Sequence, residues 1–197
     1  MQDEQPLSEQ ESLDLIARMI NKAKCDYEDT AISALMWGGV ITVCSIVAFI
    51  GVKLNMPALD NIWYLTIAAV FVQVIISVRE KRRKRFSGYT DSAVGGIWIS
   101  FGIGIFLLSY YANKFHVPAA NSVFLILYGI PTFATGFATR FTPMTIGGLA
   151  CWVMAIAAMY TTWPYDILYG AAGAQLAWFI PGLILRRKYQ KAKKGNV

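Results

Sequence analysis

Charged side chains are missing from six long stretches of this sequence, and that pattern restricts the chain to one environment. Ala31–Val52, Asn61–Val78, Ser92–Asn113, Phe115–Thr139, Phe141–Tyr165 and Ile167–Leu185 contain no Asp, Glu, Lys or Arg. The shortest has 18 residues and the longest 25, and a helix that crosses a bilayer needs roughly 17–25. In hydrocarbon every backbone N–H and C=O must be paired inside the segment, which a helix does and a lone strand does not. The expected fold class is therefore all-α: a polytopic membrane protein with six transmembrane helices and an N-terminal amphipathic helix, cytoplasmic or interfacial. Three parts follow: residues 1–30 as the amphipathic helix, 31–185 as the bundle and 186–197 as a basic tail. The spans are placed at about 31–52, 62–78, 92–112, 120–139, 143–161 and 167–185.

Charge placement predicts orientation. Of 18 Lys and Arg, 16 fall on one side of a six-span chain: Arg18, Lys22, Lys24, the six in Arg79–Arg85, Arg140, and the six in Arg186–Lys194. Only Lys53 and Lys114 fall on the other. Basic residues in short loops are retained in the cytoplasm, so both termini are expected there. Five or seven spans would put a basic cluster outside. The net charge of +6 comes from that inner face, which points to an anionic leaflet rather than nucleic acid. The acidic, polar start is not a basic segment followed by an apolar core, so no cleavable signal is expected. Cys25, Cys44 and Cys151 are widely spaced and form no CxxC pair, so neither a disulfide framework nor a zinc knuckle is expected.

Three segments outside the spans carry information. In the first 30 residues, Ser8 and Glu11 have capping-box spacing. Leu13, Ile16, Ala17, Ile20 and Ala23 then recur at helical spacing. Acidic Glu9, Glu11 and Asp14 precede basic Arg18, Lys22 and Lys24, as the helix dipole favours. Such a helix can lie in the headgroup interface or dock a protein partner or a second copy of the chain. In the docking case Leu13, Ile16 and Ile20 supply apolar contact, while Glu11 and Asp14 set charge selectivity. The other two segments are the loop with Arg82, Arg83, Lys84 and Arg85, and the tail beginning Arg186-Arg187. Their topogenic role explains them; they are also the candidates for a lipid head group or an acidic partner.

The spans lack the groups that most membrane chemistry needs. No ionisable carboxylate or amine lies inside them, although proton relays and ion-coupled carriers usually keep one at depth. The only His, His116, falls in a loop, so a haem bundle has no axial ligands, and no retinal Lys is present. No catalytic residue, metal ligand or cofactor is assigned. A membrane enzyme would have to converge Asp60, His116 and Asp166 at the outer surface.

The polar groups that remain are hydroxyls and amides. Tyr128, Thr132, Thr135 and Thr139 share one helical face beside Pro131, and Gln175 is an amide at depth on span six. A polar stripe beside a proline kink can line a pocket or solute path, or its hydroxyls can bond nearby carbonyls and repair the broken ladder. Gly147, Cys151 and Ala155, and likewise Gly173, Ala177 and Pro181, form small-residue faces for close helix contact. The pairs Gly38-Gly39, Gly95-Gly96 and Gly147-Gly148, each with a Trp nearby, suggest a 2+2+2 hairpin repeat.

Tyr128-Gly129-Ile130-Pro131-Thr132-Phe133, then Pro143 with Gly147-Gly148 and Trp152, then Trp178-Phe179-Ile180-Pro181-Gly182 before a basic tail, resemble a set of small bacterial inner-membrane proteins. That resemblance implies six spans behind an acidic N-terminal helix, and it brings no catalytic or binding residue. The functional expectation is a membrane interaction or regulatory protein of the bacterial inner (plasma) membrane, not an enzyme, that presents residues 1–30 and the basic segments to a partner. The alternative is a carrier or channel for a small uncharged or weakly polar solute.

Overall fold

The computed structural model describes residues 9–83 and 89–194. Among them the elements run α1 (Glu9–Lys53), a 3-10 turn (Pro57–Trp63), α2 (Tyr64–Arg83), α3 (Tyr89–Phe115), α4 (Ala120–Ala138), α5 (Thr142–Met159), α6 (Asp166–Ala174), a π-helical segment (Gln175–Phe179) and α7 (Ile180–Lys194). No strand occurs among the described residues. Six helical stretches are long and apolar enough to cross a membrane: Thr30–Lys53, Pro57–Arg82, Thr90–Phe115, Ala120–Ala138, Thr142–Met159 and Asp166–Lys188. The protein is an all-α, polytopic membrane protein.

Helix boundaries follow the local chemistry. Pro57 opens the 3-10 turn and Pro143 sits in the first turn of α5, where a missing N–H costs nothing. Between α4 and α5 the chain reverses in three residues. Arg140 takes a left-handed φ of 53°, and the Phe141 N–H returns to Gly136 O at 2.8 Å. This closes the end of α4 by the pattern common at helix C-termini.

The boundary at residue 30 is not a structural break. α1 is one helix of 45 residues, about 67 Å long at 1.5 Å per residue. The sequence explains this, since Glu9 to Trp37 contains neither Gly nor Pro. An unbroken helix has no corner at which it could turn from the headgroup plane into the membrane.

Packing divides the spans into a core and two flanks. α1, α4, α5 and the α6–π–α7 stretch form the core, around Ile41, Leu125, Tyr128, Cys151, Ala155, Ala174, Ala177 and Trp178. Among the described elements the backbone of α2 comes close only to α1 and the 3-10 turn, and that of α3 only to α4, although Trp98 and Phe101 of α3 reach in to Trp178. Only 6% of the most apolar window of the second span is buried, and none of the third, against 33–44% in the other four. The outer surfaces of α2 and α3 are rows of exposed Ile, Val, Leu and Phe, as lipid-facing helices require.

Among the described elements the most extensive helix pair is α4 with α5. A Cβ on Gly148 would lie 2.7 Å from Phe133 N, and one on Gly136 would strike Thr145 N. The small residues of span five meet span six, where a Cβ on Gly147 would lie 2.6 Å from Leu176 O and the Cys151 thiol faces Gly173 O at 3.7 Å. These faces are internal seams of the bundle. The three Gly-Gly pairs are not equivalent in packing. Gly38 is held against Phe179, Gly147 and Gly148 are both enclosed, and Gly95 and Gly96 meet nothing within 4 Å.

Candidate functional site: a closed threonine stripe

Span four turns its hydroxyls inward. Tyr128, Thr132 and Thr135 are buried, Thr132 completely, and Pro131 beside them is buried too. Thr139, at the end of α4, is exposed. Both inward threonine hydroxyls are engaged by a neighbouring helix. The Trp178 indole N–H donates to Thr132 Oγ1 at 2.9 Å, and Thr132 in turn donates to Tyr128 O at 2.7 Å. The Trp98 indole N–H donates to Thr135 Oγ1 at 3.0 Å, while Thr139 Oγ1 donates to Thr135 O at 2.7 Å. Pro131 leaves the carbonyl of Leu127 without its helical donor, and these threonine bonds pass that carbonyl by.

Gln175 builds a matching relay on the other side of the core. Its Nε2 donates to Thr42 Oγ1 at 2.7 Å, and Thr42 donates to Gly38 O at 2.7 Å. In both relays a donor on span six meets a threonine that is already bonded back to its own helix. Gln175 and Trp178 lie in the π segment, six and three residues ahead of Pro181, which cannot donate to Ala177 O. A π turn beside such a gap rewinds the ladder and re-aims side chains.

Aromatic rings close the remaining space. Tyr128 and Trp178 have centroids 5.0 Å apart, and Phe101 lies 5.9 Å from Tyr128 and 6.4 Å from Trp178. The result is a dense plug in which the threonine hydroxyls are bonded and the rings are in van der Waals contact. Thr132→Val keeps the shape and removes the relay. We expect it to destabilise the bundle by about 1–2 kcal/mol, read as a lower unfolding midpoint in detergent micelles.

One groove lies beside the plug, between α3 and α4. It encloses about 510 Å³ and is lined by Gly96, Ile97, Ser100, Leu127, Ile130 and Pro131, among others. Ile130 is 51% exposed and Gly96 faces open space, so the groove opens sideways from the bundle. Of the residues proposed from sequence to line a pocket or path, Pro131 alone lines it. Tyr128, Thr132 and Thr135 lie behind it, and Gln175 is across the core against α1.

The other sequence candidates fall at or beyond the bundle ends. Glu11, Leu13, Asp14, Ile16 and Ile20 lie on the continuous helix α1, and their side chains are outside the described residues. Arg82, Arg186 and Arg187 are exposed, Arg83 is placed by its backbone at the end of α2, and Lys84 and Arg85 lie outside the described residues. Lys188 stands 5.2 Å from the Phe141 ring centroid. Asp60 and His116 are exposed on separate connections, whereas Asp166 is buried. No group of three or more His, Cys, Asp or Glu forms among the described residues.

Trp98 and Trp178 hold the plug together, and Thr42 anchors the second relay. Their sequence signal is slight: each is a polar-tipped residue in a span, but the partner lies 37 to 133 positions away. The fold and this plug define a polytopic membrane protein with a closed core. Comparison with protein-family models, with curated proteins and with solved structures finds no match to this chain.

Proposed function

We propose that this protein is a membrane platform of the bacterial inner (plasma) membrane, with both termini in the cytoplasm, which presents its N-terminal helix to a protein partner. The observation that carries this reading is the continuity of α1, which makes the segment before residue 30 an extension of a membrane helix. Its seam supports the same reading. Leu13, Ile16, Ile20, Ala23 and Tyr27 recur at alternating spacings of three and four, and the same rhythm reaches Ala34, Trp37, Ile41, Cys44 and Ala48 in the first span. Within the membrane that stripe packs into the core at Ile41, Cys44 and Ala48. Beyond the membrane it is the kind of apolar stripe that a partner helix covers. The basic segments around Arg82 and Arg186 would hold this end against an anionic leaflet.

A carrier role has less to support it. The hydroxyls best placed to line a path, Thr132 and Thr135, are occupied by indole donors.

Photocrosslinkers placed at Ile16 and Ile20 should give one discrete adduct in intact cells. The double substitution Ile16→Asp, Ile20→Asp should remove the adduct formed from a crosslinker at Leu13 without lowering the amount of protein in the membrane. An adduct that persists in that variant would remove this reading.

A further inference from the structure

A buried carboxylate stands at the end of the core opposite the basic segments, and its chemistry points to a ligand. Asp166 opens α6 and is 6% exposed. Its Oδ2 accepts a hydrogen bond from Asn121 Nδ2 at 2.8 Å. Its Oδ1 is buried without a hydrogen-bond partner, and so is the hydroxyl oxygen of Ser122, which is 1% exposed. These are the two unpartnered buried side-chain polar atoms among the described residues.

Both orphans belong to the residues where the first turns of α4 and α6 meet. The Asn121–Asp166 bond and the contact of Leu125 with Gly173 set the register of α4 on α6. Ser122 follows Asn121 directly in the first turn of α4, beside the residue that bonds Asp166. From α1, Ser45 Oγ reaches within 3.3 Å of where a Cβ on Gly170 would stand.

Electrostatics decides what fits there. A buried carboxylate is costly unless it is paired. The N-terminus of α6 supplies about half a positive charge, and the Asn121 amide supplies none. Of the two lysines at this end, Lys53 donates to Tyr165 OH at 2.9 Å and rests 4.3 Å from that ring's centroid, and Lys114 stands 5.6 Å from the Phe115 ring centroid at the end of α3. Carboxylate and hydroxyl oxygens are hard donors of the kind that bind alkali and alkaline-earth ions. One carboxylate balances one positive charge, and no cluster of three acidic or soft ligands assembles around it among the described residues.

We propose that Asp166 and Ser122 bind a small monovalent cation, sodium, at the outer end of the four-part core, tying α4 to α6. This site is separate from the helix-presenting role and stands or falls without it.

Thermal unfolding of the full-length protein in detergent micelles tests it, with sodium, potassium or choline chloride at one ionic strength. The unfolding midpoint should rise with sodium in a saturable way, as mass action requires of a ligand that binds only the folded state. Asp166→Asn should abolish the sodium response. Ser122→Ala removes one ligand oxygen and little else, so it remains informative if the Asp166 variant does not fold. It should raise the half-saturating sodium concentration roughly tenfold, the scale on which metal sites respond to loss of supporting groups. A midpoint equal in sodium and choline, as when water alone bridges the two oxygens, overturns the proposal. So does a sodium response that Ser122→Ala leaves unchanged.

Discussion

Gly148→Leu is expected to stop the bundle from assembling, while Gly96→Leu leaves it intact. Both positions are the second glycine of a Gly-Gly pair in a membrane span, so sequence alone treats them alike. At Gly148 the added Cβ would lie 2.7 Å from both the backbone nitrogen and the Cβ of Phe133. Neither atom can rotate away, so relief requires α4 and α5 to separate along their whole seam. Overpacking a dense core costs typically about 1–3 kcal/mol, and more where backbone must shift. α4 and α5 form the most extensive helix contact among the described elements, so the expected result is loss of the monodisperse peak on size exclusion. At Gly96 nothing lies within 4 Å, and a leucine there adds apolar surface to a side that is already lipid-facing. Its elution and unfolding midpoint should match the parent.

Trp178→Ala is expected to cost about 3–5 kcal/mol, the range for emptying a buried tryptophan site. The indole meets Tyr128, Phe101 and Trp98 at once, and its N–H holds Thr132. Trp163, by contrast, is 68% exposed, and Trp163→Ala should change stability by less than about 0.5 kcal/mol. A double-mutant cycle between Trp178→Phe and Thr132→Val isolates the hydrogen bond from the packing. A coupling near zero would mean that the plug is held by ring contact alone. Unfolding in detergent micelles, followed by tryptophan fluorescence in the Thr132 and Trp163 series and by circular dichroism in the Trp178 series, supplies the midpoints.

Much of the architecture is legible along one dimension. Six uncharged runs name six spans because the cost of a buried charge in hydrocarbon applies to each residue singly. Small residues such as Gly147 and Gly173 announce that some backbone comes close, but not which. Partnership is decided in three dimensions: Trp178 meets Thr132 from 46 positions away and Gln175 meets Thr42 from 133. Residue 30 reads as a boundary because polarity changes there, yet helix continuity depends on glycine, proline and caps rather than on polarity. Asp166 was hard to read for a related reason. A charge between two apolar runs marks a loop in sequence, whereas here it is the first residue of a helix, tucked behind Asn121. The division into core and flanks was not legible, since α2 and α3 are as apolar as the spans they lean on.

The pairing of α1 with the α6–α7 stretch has a consequence for biosynthesis. The first span reaches the bilayer while the helix that will cover its inner face is still unmade. Thr42 must wait for Gln175, 133 residues downstream, which at 5–20 residues per second is on the order of ten seconds. During that interval an unpaired hydroxyl would be stranded in hydrocarbon. Thr42 avoids this by bonding its own helix at Gly38 O, and Thr132 does the same at Tyr128 O. Each hydroxyl is satisfied alone and still has a lone pair to offer. The nascent chain can therefore store its unfinished seams in lipid and close them when the last span arrives.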